Sequence, residues 1–327
     1  MSGVEIIESE DRLAAIVPQW RELWSRVSAT TPFQSPDWLL PWWDIFEPGE
    51  LRVIAIWDND TLIGIAPLYI DTTREPRCLL PLGISLSDYL DVALDPADFD
   101  NAAEGLSHAV SAMGDVALWE MREIPENGAA LQLRLSGEWQ HEDSPGSVCP
   151  LLVLPNGIAD LGEHISPSRM RHLRTARRRA ARRGETSIIV GDVDNADSLL
   201  AELVRLELLR WKGGVFSDQR VADFHAAALP GLMEHGVARM YALEIGEKTV
   251  GVWYGFALRA CSYAYLCAYD PDYRFESPGA ILIGHAIEEA IREGTRVFDF
   301  LRGSETYKYE WGARDRVNIR RVFRRRC

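Results

Sequence analysis

The stretch from Arg296 to Gly312, RVFDFLRGSETYKYEWG, gathers a carboxylate, phenols, an amine and an indole into a few residues. Val297, Phe298, Phe300 and Leu301 are strand formers, and pleating puts Val297, Asp299 and Leu301 on one face. The carboxylate of Asp299 therefore stands on an otherwise apolar row. Gly303 breaks the strand, and Glu305, Tyr307, Lys308, Tyr309 and Trp311 follow it. Strand ends are where α/β folds commonly place ligands. On chemistry alone two readings stay open: a site that moves protons, and a buried strand with a satisfied Asp followed by an ordinary aromatic turn.

A second pattern is the helix start Ser277-Pro278-Gly279-Ala280, with a capping residue, Pro at the first helical position and no acid in its first turn. Free amides and the macrodipole let such a helix end hold an anion. The corresponding helix in the first half begins Asp95-Pro96-Ala97-Asp98, where two carboxylates repel one. The alternative is that Ser-Pro-Gly is only a good start signal. A third pattern is SPSRMRHLRTARRRAARRG, residues 166–184, with eight Arg and no acid. Ser166, Pro167 and Gly184 delimit a helix, on which Met170, Leu173, Ala176 and Ala180 form an apolar stripe and Arg171, Arg174, Arg178 and Arg182 share another face. It reads as a nucleic-acid-binding helix, a connecting helix bridged to acidic neighbours, or a clamp for a phosphorylated substrate.

These segments sit in an arrangement that occurs twice. Helices are expected over about 11–27 and from Ser35, then strands over 52–57, 61–69 and 77–82, a helix over 96–113, a strand over 116–121, a short helix near 129–135 and a strand near 148–154. The second half offers helices over about 196–211 and 221–235, strands over 238–245, 250–258 and 261–269, a helix over 278–293 and the strand of Asp299. Two helices, a three-strand meander, a helix and a strand recur, which predicts two similar α/β domains, residues 1–155 and 156–327. Tyr263, Tyr265 and Tyr269 alternate on one predicted strand and so share a face.

The 327 residues suffice for about two domains with full cores, and 47% hydrophobic with 26% charged residues is the balance of a globular protein. The net charge of −14 hides a segregation: residues 166–184 contribute +8 and residues 313–327 contribute +6. The remainder carries −28, so basic segments lying on acidic surface is one account and an anionic partner another. Five scattered cysteines form no C-x-x-C pair, and no metal-ligand spacing is present, so no metal is expected. No signal-like start or membrane-length apolar run occurs, which predicts a cytoplasmic protein without membrane insertion. The acidic balance and the lack of a recognised motif speak against DNA as a partner.

Thr31 to Phe46 (TPFQSPDWLLPWWDIF), Leu206 to Phe216 (LELLRWKGGVF), Ser277 to Leu282 (SPGAIL) and Phe298 to Trp311 (FDFLRGSETYKYEW) together resemble the two-domain GNAT-related acetyltransferases associated with cellulose and exopolysaccharide biosynthesis. That group is related to the Fem-type peptidyl transferases, which carry two GNAT-like domains and use aminoacyl-tRNA. The resemblance implies two GNAT-like domains, each a mixed, largely antiparallel sheet flanked by helices. It also implies acyl transfer to a small-molecule or saccharide amine, with acetyl-CoA or another acyl-CoA as donor, and points to cell-surface polysaccharide or envelope metabolism. GNAT enzymes hold the CoA pyrophosphate with a [QR]-x-x-G-x-[GA] loop; Arg274, Ser277 and Gly279, followed by Ala280, match it as R-x-x-S-x-G, with Ser277 in place of the first glycine and Pro278 removing one amide.

Acyl transfer needs a base for the incoming amine, a donor for the oxyanion and a proton for the leaving thiolate. The base candidates are Asp299 and Glu305. An apolar row raises the pKa of Asp299, whereas pairing with Arg or Lys308 lowers it. Tyr265 or Tyr307 is the candidate phenol; Lys308 neutralises an anionic group on the acceptor or pairs with Glu305 or Glu310. The acceptor site is expected in the groove between the domains, with Trp38, Trp211, Arg171 and Arg174 as its candidates. The rivals are a Fem-like transferase, which brings in tRNA, and a non-catalytic GNAT-like binding protein in a polysaccharide-synthesis assembly.

Overall fold

The computed structural model describes residues 2–211 and 213–326. The chain forms two compact units, Met1–Ser147 with Val317–Cys327, and Val148–Arg316. The division expected at residue 155 thus sits against an observed one at 147, and the segment from 317 onward returns to the first unit.

The first unit opens with β1 (Ser2–Ile7), α1 (Glu10–Ala15), α2 (Val17–Arg26) and α3 (Pro36–Phe46). The single helix expected over 11–27 is two, because Pro18 has no N–H for an intrahelical bond and starts a new helix. Then come β2 (Glu50–Leu51), β3 (Val53–Asp58), β4 (Thr61–Ala66), β5 (Leu68–Asp71), β6 (Cys78–Pro81), β7 (Ala93–Leu94), α4 (Phe99–Ala112), β8 (Leu118–Ile124) and β9 (Trp139–Val148). The strand expected over 61–69 divides at Pro67, and its halves enter different sheets. One sheet has the order β1-β3-β4-β7. The other runs β2-β5-β6-β8-β16-β9, in which β16 (Val317–Arg325) lies between β8 and β9. Within it β6 and β8 are parallel, over Cys78↔Leu118 and Leu79↔Trp119.

The second unit contains β10 (Leu151–Val153), α5 (Leu161–His164), α6 (Pro167–Arg183), β11 (Thr186–Val190), α7 (Ala196–Arg210), α8 (Gln219–Glu234), β12 (Ala238–Ile245), β13 (Lys248–Leu258), β14 (Cys261–Tyr269), α9 (Pro278–Arg292), β15 (Val297–Asp299) and α10 (Thr306–Glu310). Its sheet has the order β10-β15-β14-β13-β12-β11, antiparallel except for β14 beside β15. Helices α6 and α9 cover the face of Trp253, with Leu173, Ala176 and Ala180 of α6 buried in the same core as Leu282, Ala286 and Ile287 of α9. Gly284 makes that approach close: a Cβ there would lie 2.9 Å from the Leu173 methyls. The fold class is the α/β one expected, with mixed and largely antiparallel sheets flanked by helices.

Candidate functional site

The second unit's sheet opens at its parallel junction. β14 pairs with β15 only over Cys261–Tyr263 and Val297–Asp299. The chain then turns away through Leu301 (φ +58°) and Gly303 (φ +110°), and β14 runs on to Tyr269. From Ala264 onward that edge of β14 has no strand beside it among the described residues, which leaves backbone amides for a bound group.

Two charged residues of the expected site build the turn rather than face the opening. Asp299 is fully buried; its carboxylate accepts from the Leu301 amide (2.8 Å) and pairs with Arg316 (2.7 Å). Lys308, 2% exposed, donates to the carbonyls of Leu301 (3.1 Å), Arg302 (2.7 Å) and Gly303 (3.0 Å) and lies 3.0 Å from Glu305. An ammonium has three N–H groups, so three carbonyls occupy it. Together the two residues brace a backbone that holds Leu301 in a left-handed conformation, which a branched side chain resists.

Glu305 and Tyr307 are what that turn presents. Glu305 is exposed and begins α10. The phenol of Tyr307 is pushed upward by burial, then by Cys267 and Glu305, so it stays protonated at neutral pH. Burial likewise pushes the Cys267 thiol up to about 12, which makes it a poor nucleophile. Glu305, Cys267 and the end of α7 line a cavity of about 540 Å³, to which Glu207, Arg210 and Trp211 contribute from one wall and Phe216 and Leu266 add apolar surface. Trp211 is 59% exposed there.

The tyrosine row expected on β14 is broken by a bulge. The register slips between Tyr254 and Gly255, so that Tyr254 faces Leu266, Gly255 faces Ala264, and Tyr265 is the extra residue. Tyr265 consequently packs with Tyr254 (5.8 Å), Phe256 (5.4 Å) and His225 (5.6 Å), while Tyr269 lies on the side of α9, next to Gly279. The two do not share a face.

At the start of α9, Ser277 adopts a left-handed conformation (φ +53°), and the amides of Ala280 (3.0 Å) and Ile281 (3.2 Å) bond to its carbonyl. Ala280 is thus committed within the helix, and Pro278 has no amide; Gly279 precedes the first intrahelical bond and keeps its N–H outward. The first turn has no acid, and the nearby Glu276 is paired with Arg183 at 3.2 Å. Cations stand close: Arg210 lies 4.6 Å over Tyr269, and Arg274 is exposed. Ser277 Oγ is 3.4 Å from His172 Nε2. These groups fit an anionic diphosphate.

Helix α6 divides its arginines. Arg169 is buried against Glu310 (2.8 Å) and over Trp311 (4.3 Å), and Arg177 pairs with Glu288 (2.9 Å). Arg171, Arg174, Arg178 and Arg182 are exposed and make no ion pair among the described residues. The basic segment 313–327 is largely consumed internally, with Arg320 on Glu120 (2.8 Å) and Arg321 on Asp143 (2.6 Å). Trp38 belongs to the first unit, fully buried, with its indole donating to Ser87 Oγ (2.9 Å), so it fills a core instead of lining a surface. Glu207 was not singled out by the sequence; its only signal is an acid one helical turn before Trp211 and the Gly213-Gly214 pair.

Residues 167–309 match the family model described as an acetyltransferase (GNAT) domain. No curated protein matches the chain. Among solved structures the chain is similar to FemX, at 11% identity over 97% of this chain and 96% of that one, with a TM-score of 0.66. It is also similar to a conserved protein of unknown function from Bacteroides thetaiotaomicron (11% identity, 99% and 100% covered, TM-score 0.60). A third is the C-terminal domain of a putative lysylphosphatidylglycerol synthetase from Agrobacterium fabrum (10%, 94% and 91%, TM-score 0.58). At these identities the likeness is one of fold. The fold is GNAT-like, and the family match falls within the second unit.

Proposed function

We propose that the second unit is an N-acyltransferase that moves an acyl group, acetyl in the simplest case, from acyl-CoA to an amine. The observation that carries this is the open edge of β14, flanked by Glu305 and Tyr307 on one side and by the acid-free start of α9 on the other. Arg274, Ser277 and the Gly279 amide would hold the diphosphate. Glu305 takes the proton of the attacking amine, whose nitrogen bonds to the acyl carbon. An amide of the β14 edge stabilises the charge growing on the carbonyl oxygen. As the carbon–sulfur bond breaks, Tyr307 gives its proton to the sulfur; a protonated phenol beside a carboxylate suits that task. Transfer is direct, because the Cys267 thiol stays neutral. Asp299 and Lys308 position the loop. The resemblance in sequence supports a saccharide or other small amine of envelope or surface-polysaccharide metabolism as acceptor.

Calorimetric titration with acetyl-CoA, beside a Ser277→Asp variant, tests the donor. Micromolar-range binding to the wild type is expected, weakened at least ten-fold by a carboxylate at the helix start. Absence of binding to the wild type rules out acetyl-CoA. A second reading is favoured by the exposed row Arg171, Arg174, Arg178 and Arg182: a Fem-like transferase using aminoacyl-tRNA, whose backbone phosphates suit such a row. Aminoacyl-tRNA is the donor to test next, and failure of both leaves a non-catalytic binding role.

A further inference from the structure

The serine that opens α9 does not cap it. A serine there ordinarily accepts from an amide of the first turn, but Ser277 makes no such bond among the described residues, and its left-handed conformation turns the hydroxyl elsewhere. The hydroxyl meets α6, where Ser277 Oγ lies 3.4 Å from His172 Nε2. The backbone at this helix start is also poor in donors. The Ser277 amide bonds to the Arg274 carbonyl (3.3 Å), and the Ala280 amide to the Ser277 carbonyl (3.0 Å). Pro278 has no amide, so of these four residues Gly279 alone can offer one to an anion. Side chains must supply the rest.

His172 is held from behind. Its Nδ1 is 3.3 Å from Arg169 Nη1, and Arg169 is itself fixed by Glu310 (2.8 Å) and by its stack on Trp311 (4.3 Å). A guanidinium only donates, so Nδ1 accepts and the ring hydrogen sits on Nε2. That N–H donates to Ser277 Oγ, which leaves the serine's own hydrogen for an acceptor outside the pair. The ring is exposed and, with Ser168, Arg169 and Glu310, lines a cavity of about 290 Å³, so solvent reaches it. Partial burial and then Arg169 hold its pKa below the ordinary value; Glu310 offsets only part of this, and Arg179 adds to it. The imidazole is therefore neutral at neutral pH, and an anion bound beside it works in the opposite direction.

We propose that His172 is a further binding residue for the acyl donor, which aims the Ser277 hydroxyl at a phosphate of that donor and takes up a proton as the phosphate binds. The identity of the phosphate rests on the acyl-CoA reading above; the Ser277–His172 pair does not. The charges that face the ring are Arg169 and Arg179 of α6 and Glu310 of α10, while α9 contributes Ser277 and no acid in its first turn. A phosphate at that helix start is thus the added negative charge that favours the imidazolium. Affinity is then highest below the pKa of the free ring and falls as pH rises through that of the bound one. Exchanging amides for a titratable side chain makes capture of the donor sensitive to pH.

The first probe is dephospho-CoA, whose diphosphate diester keeps a constant charge over the range of interest. It is titrated calorimetrically into the whole chain at about pH 6 and about pH 8, in buffers of different ionisation enthalpy. The wild type is expected to take up a proton at the lower pH and to bind about five-fold or more tightly there. His172→Gln keeps an N–H near the place of Nε2 but does not titrate. It should match the wild type at the higher pH and lose both the proton uptake and the gain in acid. His172→Ala, which loses the N–H as well, should bind more weakly at both. Proton uptake with CoA but not with dephospho-CoA would make the ribose phosphate the one that faces His172. Binding of both coenzymes without uptake, or a gain in acid undiminished in His172→Gln, overturns the proposal and leaves the acyl-CoA reading standing. If neither coenzyme binds, that reading fails, and NMR titration of the His172 ring with inorganic pyrophosphate decides this one. A ring pKa raised by pyrophosphate keeps the pair as an anion site, and an unchanged one overturns it too.

Discussion

The two units share much of a succession of elements, and one junction within it separates them chemically. In each, the last strand of a meander lies parallel to the strand that follows the next helix. β6 stops two residues, Leu80 and Pro81, past its last pair with β8, and all of β6 is buried. β14 continues six residues, Ala264 to Tyr269, past its last pair with β15. The helix after β6 has Asp98 at its cap and Asp100 in its first turn; the helix after β14 has no acid there. Beyond the junction β8 is seven residues long and sealed by β16, whereas β15 has three and yields to the Asp299–Lys308 turn. The shared succession makes a scaffold, and chemistry becomes available where a strand outruns its neighbour.

The contrast can be broken most forcefully at Lys308. Lys308→Met strips three backbone carbonyls of their donor, and denaturant unfolding should show a loss of about 3 kcal/mol or more. A stable, active variant would mean that the turn does not depend on this brace. Next in size, Tyr307→Phe should lower kcat by roughly 100-fold with acetyl-CoA affinity intact, while Trp38→Phe in the first unit leaves kcat alone. Steady-state kinetics on both decides whether the chemistry is confined to the second unit. The smallest effect concerns Glu120 of β8. Burial pushes its carboxyl up, but hydrogen bonds from Arg122 and Arg320 outweigh this and hold it at about 2. A folded pKa below the unfolded one (about 4.3) gives stability that is present above that value and lost as pH falls toward about 2. Glu120→Gln should therefore be less stable than wild type at neutral pH, and the gap should close in acid unfolding curves below about pH 4.

Legibility in the sequence followed the range of the interactions. β12 and β14 have the ends that propensity and turn residues mark, and α6 lies within one residue of its Ser and Gly signals. β9 and β16 were not foreseen. The sequence WQHEDSPGSV has no strand period, and VNIRRVFRR reads as a basic tail; they become strands because Arg320 and Arg321 find Glu120 and Asp143 far away in the chain. The site divides the same way. Asp299, Glu305, Tyr307 and Lys308 were visible as a group, but which of them brace and which are presented depends on carbonyl positions that no pattern encodes. A one-residue bulge was enough to move Tyr265 off the expected row.

The place of β16 also sets an order of events during synthesis. Every residue of the second unit leaves the ribosome before Val317 does, so that unit can complete its sheet while the first still lacks a central strand. Domains usually fold in the order they are made; here the unit begun first must finish last. Until then β8 and β9 would present unpaired edges to other chains, and chaperone capture during translation should concentrate in that interval.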